Sequence, residues 1–364
     1  MALALGGGER FVAELQRAWD AGDAVLPIDQ RLPAAAQESL AKRMGASFVV
    51  DNTGRHRRRG GWEVAPGDAL VMVTSGSTGE PKGVVLTHDA IEANAMATSS
   101  ALAVDPSTDR WLACLPLAHV GGLAVVVRAL LTDTPVEFHD GFDAAAVEAA
   151  ARHGATLTSL VPTALARIDP AAFRAILLGG SAMPAQRPPN TVATYGMTET
   201  FSGVVYEGWP LDGVELRIHD NEVQLRCPML LRCYRDNSDP RTGDGWYPTG
   251  DAGALSDKGQ LSVFGRIDDM ITTGGENVWP VAVERILADL PDISEVAVVG
   301  RPDPDWGHAV TAVIVPADPA QPPELEALRD AVKAHLPAYC APQAREVVKA
   351  LPQTPLGKTQ RWRL

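Results

Sequence analysis

Thr74-Ser-Gly-Ser-Thr-Gly-Glu-Pro-Lys-Gly83 stands directly after the apolar run Ala69-Leu-Val-Met-Val73. Gly, Ser and Thr in such a loop let backbone N–H groups and hydroxyls turn inward on an anion, and Lys82 can offset its charge. The order is not that of a Walker A loop: Gly79 leads to Glu80, Pro81 and then Lys82, and Gly83 stands where a Ser or Thr would follow. A phosphate-binding chain of a different fold is expected. Asp68 to Val73 reads as the strand into the loop. Asp89 to Ser99 reads as the helix after it, with Asp89 near the N-cap. Strand, loop and helix in that order place N–H groups near an anion.

Working outward, Phe11, Leu15 and Trp19 recur every four residues on one helix face; Ala34 to Lys42 reads as a helix and Ala46 to Val50 as a strand. Trp111 to Pro116, Thr156 to Val161, Ala175 to Leu178 and Thr191 to Tyr195 are short apolar runs among Ala-rich helical segments, and His119 to Leu131 reads as a buried helix. Strands alternating with helices predict an α/β architecture with parallel pairing. After Gly213 the period becomes two: Val214 to Ile218 and Glu222 to Arg226 flank His219-Asp220-Asn221, the hairpin of a β-rich subdomain. A second domain is expected from Asp268, giving boundaries 1–267 and 268–364. Its elements are helices over Pro280–Leu290 and Leu325–His335 and strands over Val296–Gly300 and Ala309–Val315.

The chain's 364 residues suffice for a large core and a second domain, and 46% apolar content marks a globular protein. A net charge of −13 argues against a nucleic-acid backbone as the main partner. His56-Arg-Arg-Arg59 is the one dense basic run and reads as a solvated loop. Cys114, Cys227, Cys233 and Cys340 have no zinc-site spacing, so a reducing, cytoplasmic compartment is the simplest expectation. No basic segment leads an apolar core at the N-terminus, and Val120 to Leu131, which holds Arg128, is too short to span a bilayer. No membrane anchor is therefore expected.

Four further segments join the glycine loop in order: Tyr195-Gly-Met-Thr-Glu-Thr200, Gly245-Trp-Tyr-Pro-Thr-Gly-Asp251, Gly265-Arg-Ile-Asp-Asp-Met-Ile-Thr-Thr-Gly-Gly-Glu-Asn277 and Pro355-Leu-Gly-Lys-Thr359. Together they resemble the adenylate-forming superfamily of acyl-CoA synthetases, peptide-synthetase adenylation domains and luciferases. Within it the chain is most similar to the o-succinylbenzoate–CoA ligases of menaquinone biosynthesis, through Ile271 to Pro280 and the short region before the glycine loop. The resemblance implies a large N-terminal α/β domain with a β-rich subdomain and a small mobile C-terminal α/β domain. It also implies an AMP-forming acid–thiol ligase using ATP, Mg²⁺ and coenzyme A.

By the same resemblance, Thr74, Ser75, Gly76, Ser77, Thr78, Gly79 and Lys82 surround the β- and γ-phosphates. Gly179, Gly180 and Ser181 floor the nucleotide and acyl sites, and Tyr195 and Gly196 lie near the adenine. Thr198 contacts phosphate and Glu199 holds Mg²⁺. Asp251 accepts from the ribose hydroxyls and Arg266 contacts the ribose or phosphate region. Asp268, with Asp269 beside it, marks the hinge. Gly274 and Gly275 line the coenzyme A channel, His119 lies near the acyl pocket, and Lys358 reaches the carboxylate and α-phosphate. The second carboxylate of the acid needs an anchor, for which Arg128, Arg152 and Arg167 stand as alternatives. The acid could instead be another aromatic or a short- or medium-chain acid, and the acceptor a carrier-protein thiol. A regulatory nucleotide binder of the same fold is the alternative of a different class. A homodimer is compatible with all of these readings.

Overall fold

The computed structural model describes residues 1–75, 81–181, 183–184, 186–353 and 359–364. The chain divides into two compact units, Met1–Leu216 with Leu225–Tyr247, and Arg217–Gln224 with Pro248–Leu364.

The first unit is built around a seven-stranded sheet. Its order is Trp209–Pro210, Gly203–Tyr206, Thr191–Gly196, Ala175–Leu178, Leu157–Leu160, Trp111–Ala113, Val136–Phe138. The last five strands pair in parallel, as the alternating pattern predicts, and the first two add antiparallel. Parallel strands are covered on both faces and so read as continuous apolar runs: Trp111, Leu112, Leu157, Ile176 and Leu178 are all buried. The Val120–Leu131 helix is apolar on almost every side and is buried accordingly. It starts where it does because Gly122 lets it close on the preceding strand end. A β-carbon there would lie 2.4 Å from the Leu115 carbonyl oxygen and 2.5 Å from that of Pro116.

The glycine loop is not followed by a helix. Pro81–Thr87 is a strand that returns antiparallel to Asp68–Ser75, Val71 facing Val85 and Thr74 facing Lys82. The β-branched run Gly83-Val-Val-Leu-Thr87 favours this pairing. The helix begins only at His88, capped by Thr87, whose hydroxyl accepts from Ala90 N at 3.2 Å; Asp89 sits in its first turn. The loop is therefore the connection of a hairpin, and its own N–H groups, not a helix terminus, are what it can offer an anion. Cys233–Tyr234 adds as a third strand against Val84 and Val85.

A second correction concerns the basic run. Gly54–Arg57 is a strand paired with Phe48–Asp51, so His56 and Arg57 belong to a sheet. The turn that permits this is tied by the Asp51 carboxylate, which accepts from Thr53 N at 2.7 Å and Gly54 N at 3.1 Å.

In the second unit, a sheet ordered Glu215–His219, Glu222–Arg226, Tyr247–Leu255, Leu261–Arg266 contains the expected period-two hairpin. Beyond it, Ile293–Asp303, Gly307–Pro316 and Ala344–Val347 form a three-stranded sheet. The helices Pro280–Ala288 and Leu325–Lys333 bury Val283, Leu287, Leu328 and Val332 in one cluster with Val298, Val310 and Ile314 of that sheet. The division at Tyr247 and Pro248 falls ahead of the boundary expected at Asp268. Thr249 Oγ1 donates to Val223 O and Gly250 N to Glu222 Oε1, both at 2.7 Å, which ties the start of this strand to Arg217–Gln224.

Among the described residues no helix is long and apolar enough to cross a membrane. Gly122→Ala should destabilise the chain by about 2 kcal/mol or more, because the new methyl meets backbone that cannot swing aside. Thermal unfolding of the purified variant checks this, and an unchanged midpoint would refute it.

Candidate functional site

In the first unit the Pro81–Thr87 strand carries Lys82, and the neighbouring strand carries Tyr234. The Lys82 ammonium lies 5.1 Å from the centre of the Tyr234 ring. The Tyr234 hydroxyl donates to Glu199 Oε1 at 3.1 Å and lies 3.4 Å from the Tyr247 hydroxyl. Burial, then the Glu199 charge, pushes the Tyr234 phenol up to about 12, so it stays a donor. One aromatic ring thus fixes a carboxylate and an ammonium beside the glycine loop. Tyr234 stood in no recognised motif, and the one hint was its place in a short aromatic-bearing run after the hairpin. Thr74 and Lys82 are described and face each other across the hairpin. The backbone of Ser75 is described as well, while Gly76, Ser77, Thr78 and Gly79 lie outside the described residues.

Glu199 sits in a short 3₁₀ turn, Thr198–Thr200. The turn is fixed from several sides. Met197 N donates to Thr200 Oγ1 at 3.1 Å, that hydroxyl donates to Ser202 O at 2.7 Å, and the buried Asn94 amide donates to Thr200 O and Gly203 O at 3.3 and 3.1 Å. Gly196 must be glycine, since a β-carbon would lie 2.1 Å from Ser202 O. Gly180 has φ +84, and at Gly179 a β-carbon would lie 2.5 Å from Thr194 Oγ1. These glycines end the Ala175–Leu178 strand beside Tyr195, and Ser181 next to them is exposed.

His119 is the N-cap of the buried helix. Burial pushes its imidazole below the ordinary value of 6.5, partly offset by Asp29 and reinforced by Arg31. Arg31 and Asp29 pair through Nε and Nη2 at 2.9 and 2.6 Å. The three anchor alternatives separate. Arg152 is exposed and pairs with Glu148, and Arg167 stacks over Phe142 at 5.0 Å. Arg128 is 1% exposed, lies 5.0 Å over the Trp111 ring, and none of its three guanidinium nitrogens has a hydrogen-bond partner among the described residues.

The second unit brings Asp251 and Arg266 opposite each other on paired strands. Arg266 Nη1 donates to Thr249 O at 2.7 Å and to Asp251 Oδ1 at 3.3 Å. Gly250, at φ +70, leaves room for that guanidinium, which a β-carbon would approach to 2.6 Å. The adjacent aspartates are unlike. Asp269 pairs with Arg361 at 3.0 Å, and Arg361 also donates to Glu284 at 2.5 Å. Asp268 makes no ion pair among the described residues. Gly274 and Gly275, at φ +57 and +85, form the two-residue turn between Ile271–Thr273 and Glu276–Val278, and a β-carbon on Gly274 would lie 2.6 Å from the Trp306 ring. Lys358 lies outside the described residues, but its flanks are paired: Gln353 bridges Thr359, and Gln360 N donates to Pro352 O at 2.8 Å.

Among the described residues no three His, Cys, Asp or Glu side chains form a cluster that could cage a metal ion. A single carboxylate such as Glu199, supplemented by phosphate oxygens, suits Mg²⁺, which keeps few protein ligands.

Residues 62–229 match the AMP-binding enzyme family, and residues 282–358 match the AMP-binding enzyme C-terminal domain. A probable 2-succinylbenzoate–CoA ligase of Mycobacterium tuberculosis is 40% identical over 321 residues, 80% of this chain and 82% of that one. The 2-succinylbenzoate–CoA ligase of Listeria monocytogenes is 33% identical over 81% of this chain and 69% of its own length. The solved o-succinylbenzoate coenzyme A synthetase of Bacillus subtilis, in complex with its acyl-adenylate intermediate, superposes with a TM-score of 0.87 at 26% identity, covering 99% of this chain and 86% of that one. The same enzyme in complex with ATP and magnesium ion gives 0.86.

The lowered His119 value has a stability consequence. The unfolded chain takes up this proton first as pH falls, so the neutral imidazole contributes fully above the ordinary value of 6.5 and that contribution is lost below it. His119→Gln should flatten the loss of unfolding free energy from about pH 6.5 downward, measured by denaturant titration. Parallel pH profiles for the two proteins would contradict it.

Proposed function

Because the chain belongs to the AMP-binding enzyme family, we propose that it joins 2-succinylbenzoate to coenzyme A through an acyl-adenylate, with ATP as the energy source. The observation that carries this reading is the Lys82, Tyr234 and Glu199 cluster on the strands that frame the glycine loop. A carboxylate oxygen attacks the α-phosphorus and pyrophosphate leaves; the thiol sulfur then attacks the acyl carbon and AMP leaves with the original carboxylate oxygen. The first step brings an anion to a polyanion, so fixed positive charge and N–H donors are what the protein must supply.

In this reading Thr74 to Gly79 and Lys82 hold the outer phosphates, and Thr198 adds a hydroxyl. Glu199, aimed by Tyr234, would hold Mg²⁺ together with phosphate oxygens, and the ion supplies charge neutralisation there. Asp251 accepts from the ribose hydroxyls, and Arg266 fixes its carboxylate. Tyr195, Gly196 and the Gly179–Ser181 turn receive the adenosine and acyl groups, with His119 at the acyl side. Lys358 meets the reacting carboxylate and α-phosphate. The hinge falls on Asp268, because Asp269 is committed to Arg361. Gly274 and Gly275 leave a passage for the thiol arm. Arg128 anchors the second carboxylate: a buried guanidinium without an acceptor is costly, and an anionic group repays that cost. We place the enzyme in the cytoplasm, where ATP and coenzyme A are held, and a homodimer is compatible with its function.

Mass spectrometry of a reaction with ATP, Mg²⁺ and 2-succinylbenzoate, with and without coenzyme A, tests the reading. A coenzyme A thioester with AMP is expected. Adenylate without thioester would move the acceptor to another thiol, and no turnover would overturn the acid. Tyr234→Phe should raise KM for MgATP about tenfold, a loss of roughly 1.4 kcal/mol, with thermal stability little changed. Arg128→Leu should raise KM for 2-succinylbenzoate at least about tenfold while KM for ATP stays within about twofold, and it should narrow the preference over an analogue lacking the second carboxylate. An equal loss on both analogues would remove Arg128 from the anchor role.

A further inference from the structure

The basic run belongs to none of the machinery described so far. Arg57, Arg58 and Arg59 line a cavity of about 900 Å³ in the first unit, together with Arg235, Trp62 and Phe48. That volume lies in the range of small-molecule sites, ~300–1,000 Å³.

The segment bearing the arginines is locked in place. Arg58 N donates to Ser47 O at 2.8 Å and Trp62 N to Gly45 O at 2.9 Å. The Trp62 ring lies so close over Gly45 that a β-carbon there would sit 2.4 Å from it, and one on Gly61 would sit 2.6 Å from Ser47 Cβ. Arg235 forms the floor. Its Nε, Nη1 and Nη2 donate to the carbonyls of Met44, Glu63 and Trp62 at 3.0, 2.9 and 2.8 Å, and its guanidinium lies 5.4 Å from the Trp62 ring.

The electrostatics favour an anion. Against four guanidinium groups the lining holds two carboxylates, Asp23 and Glu63. Arg58 is paired with Glu38, yet its Nε is buried without a partner. Arg57 and Arg59 have no ion-pair partner among the described residues. A cationic cavity in a chain of net charge −13 is a local exception that concentrates anions. Trp62, 51% exposed, adds a flat apolar wall. Guanidinium forks match a carboxylate in two-point geometry, and an indole face stacks on a planar ring.

We propose that this cavity is a second small-molecule site, for an aromatic carboxylate whose ring lies on Trp62 and whose anionic group is held by Arg57 and Arg59. The site is independent of the ligase reaction, and its test uses neither ATP nor coenzyme A, so its failure leaves the ligase reading untouched.

Isothermal titration of the full chain with 2-naphthoate, at low and high salt, is the test. Binding is expected that weakens with salt and falls at least about tenfold in the double variant Arg57→Gln/Arg59→Gln. Both side chains are exposed and unpaired, so that variant should fold and retain ligase activity. The accompanying quench of tryptophan fluorescence should be lost in Trp62→Phe. Naphthoate binding unchanged in the double variant would overturn the proposal, as would sulfate binding as tightly as naphthoate, which would mark a plain anion patch.

Discussion

Asp68 is a buried carboxylate at the start of the strand that leads into the glycine loop, and Arg232 meets both of its oxygens at 2.7 and 2.9 Å. A charge taken out of water must be paired and hydrogen-bonded, so this contact fixes the position of the later segment as firmly as its own strand pairing does. Ala65 N adds a third bond to the same carboxylate at 2.9 Å. With Arg232 held, Cys233 and Tyr234 lie along Val84 and Val85, and Arg235 N reaches Gly83 O at 2.7 Å. Tyr234 can then stand under Lys82 and hold Glu199. Segments more than 160 residues apart, as Asp68 and Arg232 are with a separation of 164, become neighbours through this one ion pair.

The chemistry assigned to the chain fits that scaffold. Adenylation needs no covalent help from the protein; it needs charge in the right places at the moment pyrophosphate leaves. A chain of net charge −13 has to make its positive sites local. Lys82 is held over an aromatic ring, Arg266 is held across a strand pair, and Arg128 is buried beside Trp111. Each is positioned by neighbours other than its ligand, which is what preorganisation requires.

Much of this was legible in the sequence because the motifs are contiguous and their glycines have local causes. Gly196 and Gly274 are needed for close approach to Ser202 O and to Trp306, and a short segment announces such needs. The apolar runs likewise announced the parallel sheet. What the sequence withheld depends on distant partners. The strand after the glycine loop was missed because a Val-rich return strand and a helix start look alike until the partner strand is known. The Gly54–Arg57 strand was hidden by its arginines, and the pairing with Phe48–Asp51 reveals it. Tyr234 gained its role only from Glu199 and Lys82, and the choice of Asp268 over Asp269 rests on Arg361, 92 residues further on. The unit boundary at Tyr247 and Pro248 depends on hydrogen bonds back to Glu222 and Val223.

The central claim is that the chain makes an acyl-adenylate before any thiol takes part. Exchange of labelled pyrophosphate into ATP, measured with Mg²⁺ and 2-succinylbenzoate and without coenzyme A, tests it most directly. The account predicts exchange that depends on the acid and proceeds without the thiol. Exchange that requires coenzyme A, or that is absent while thioester still forms, would contradict it.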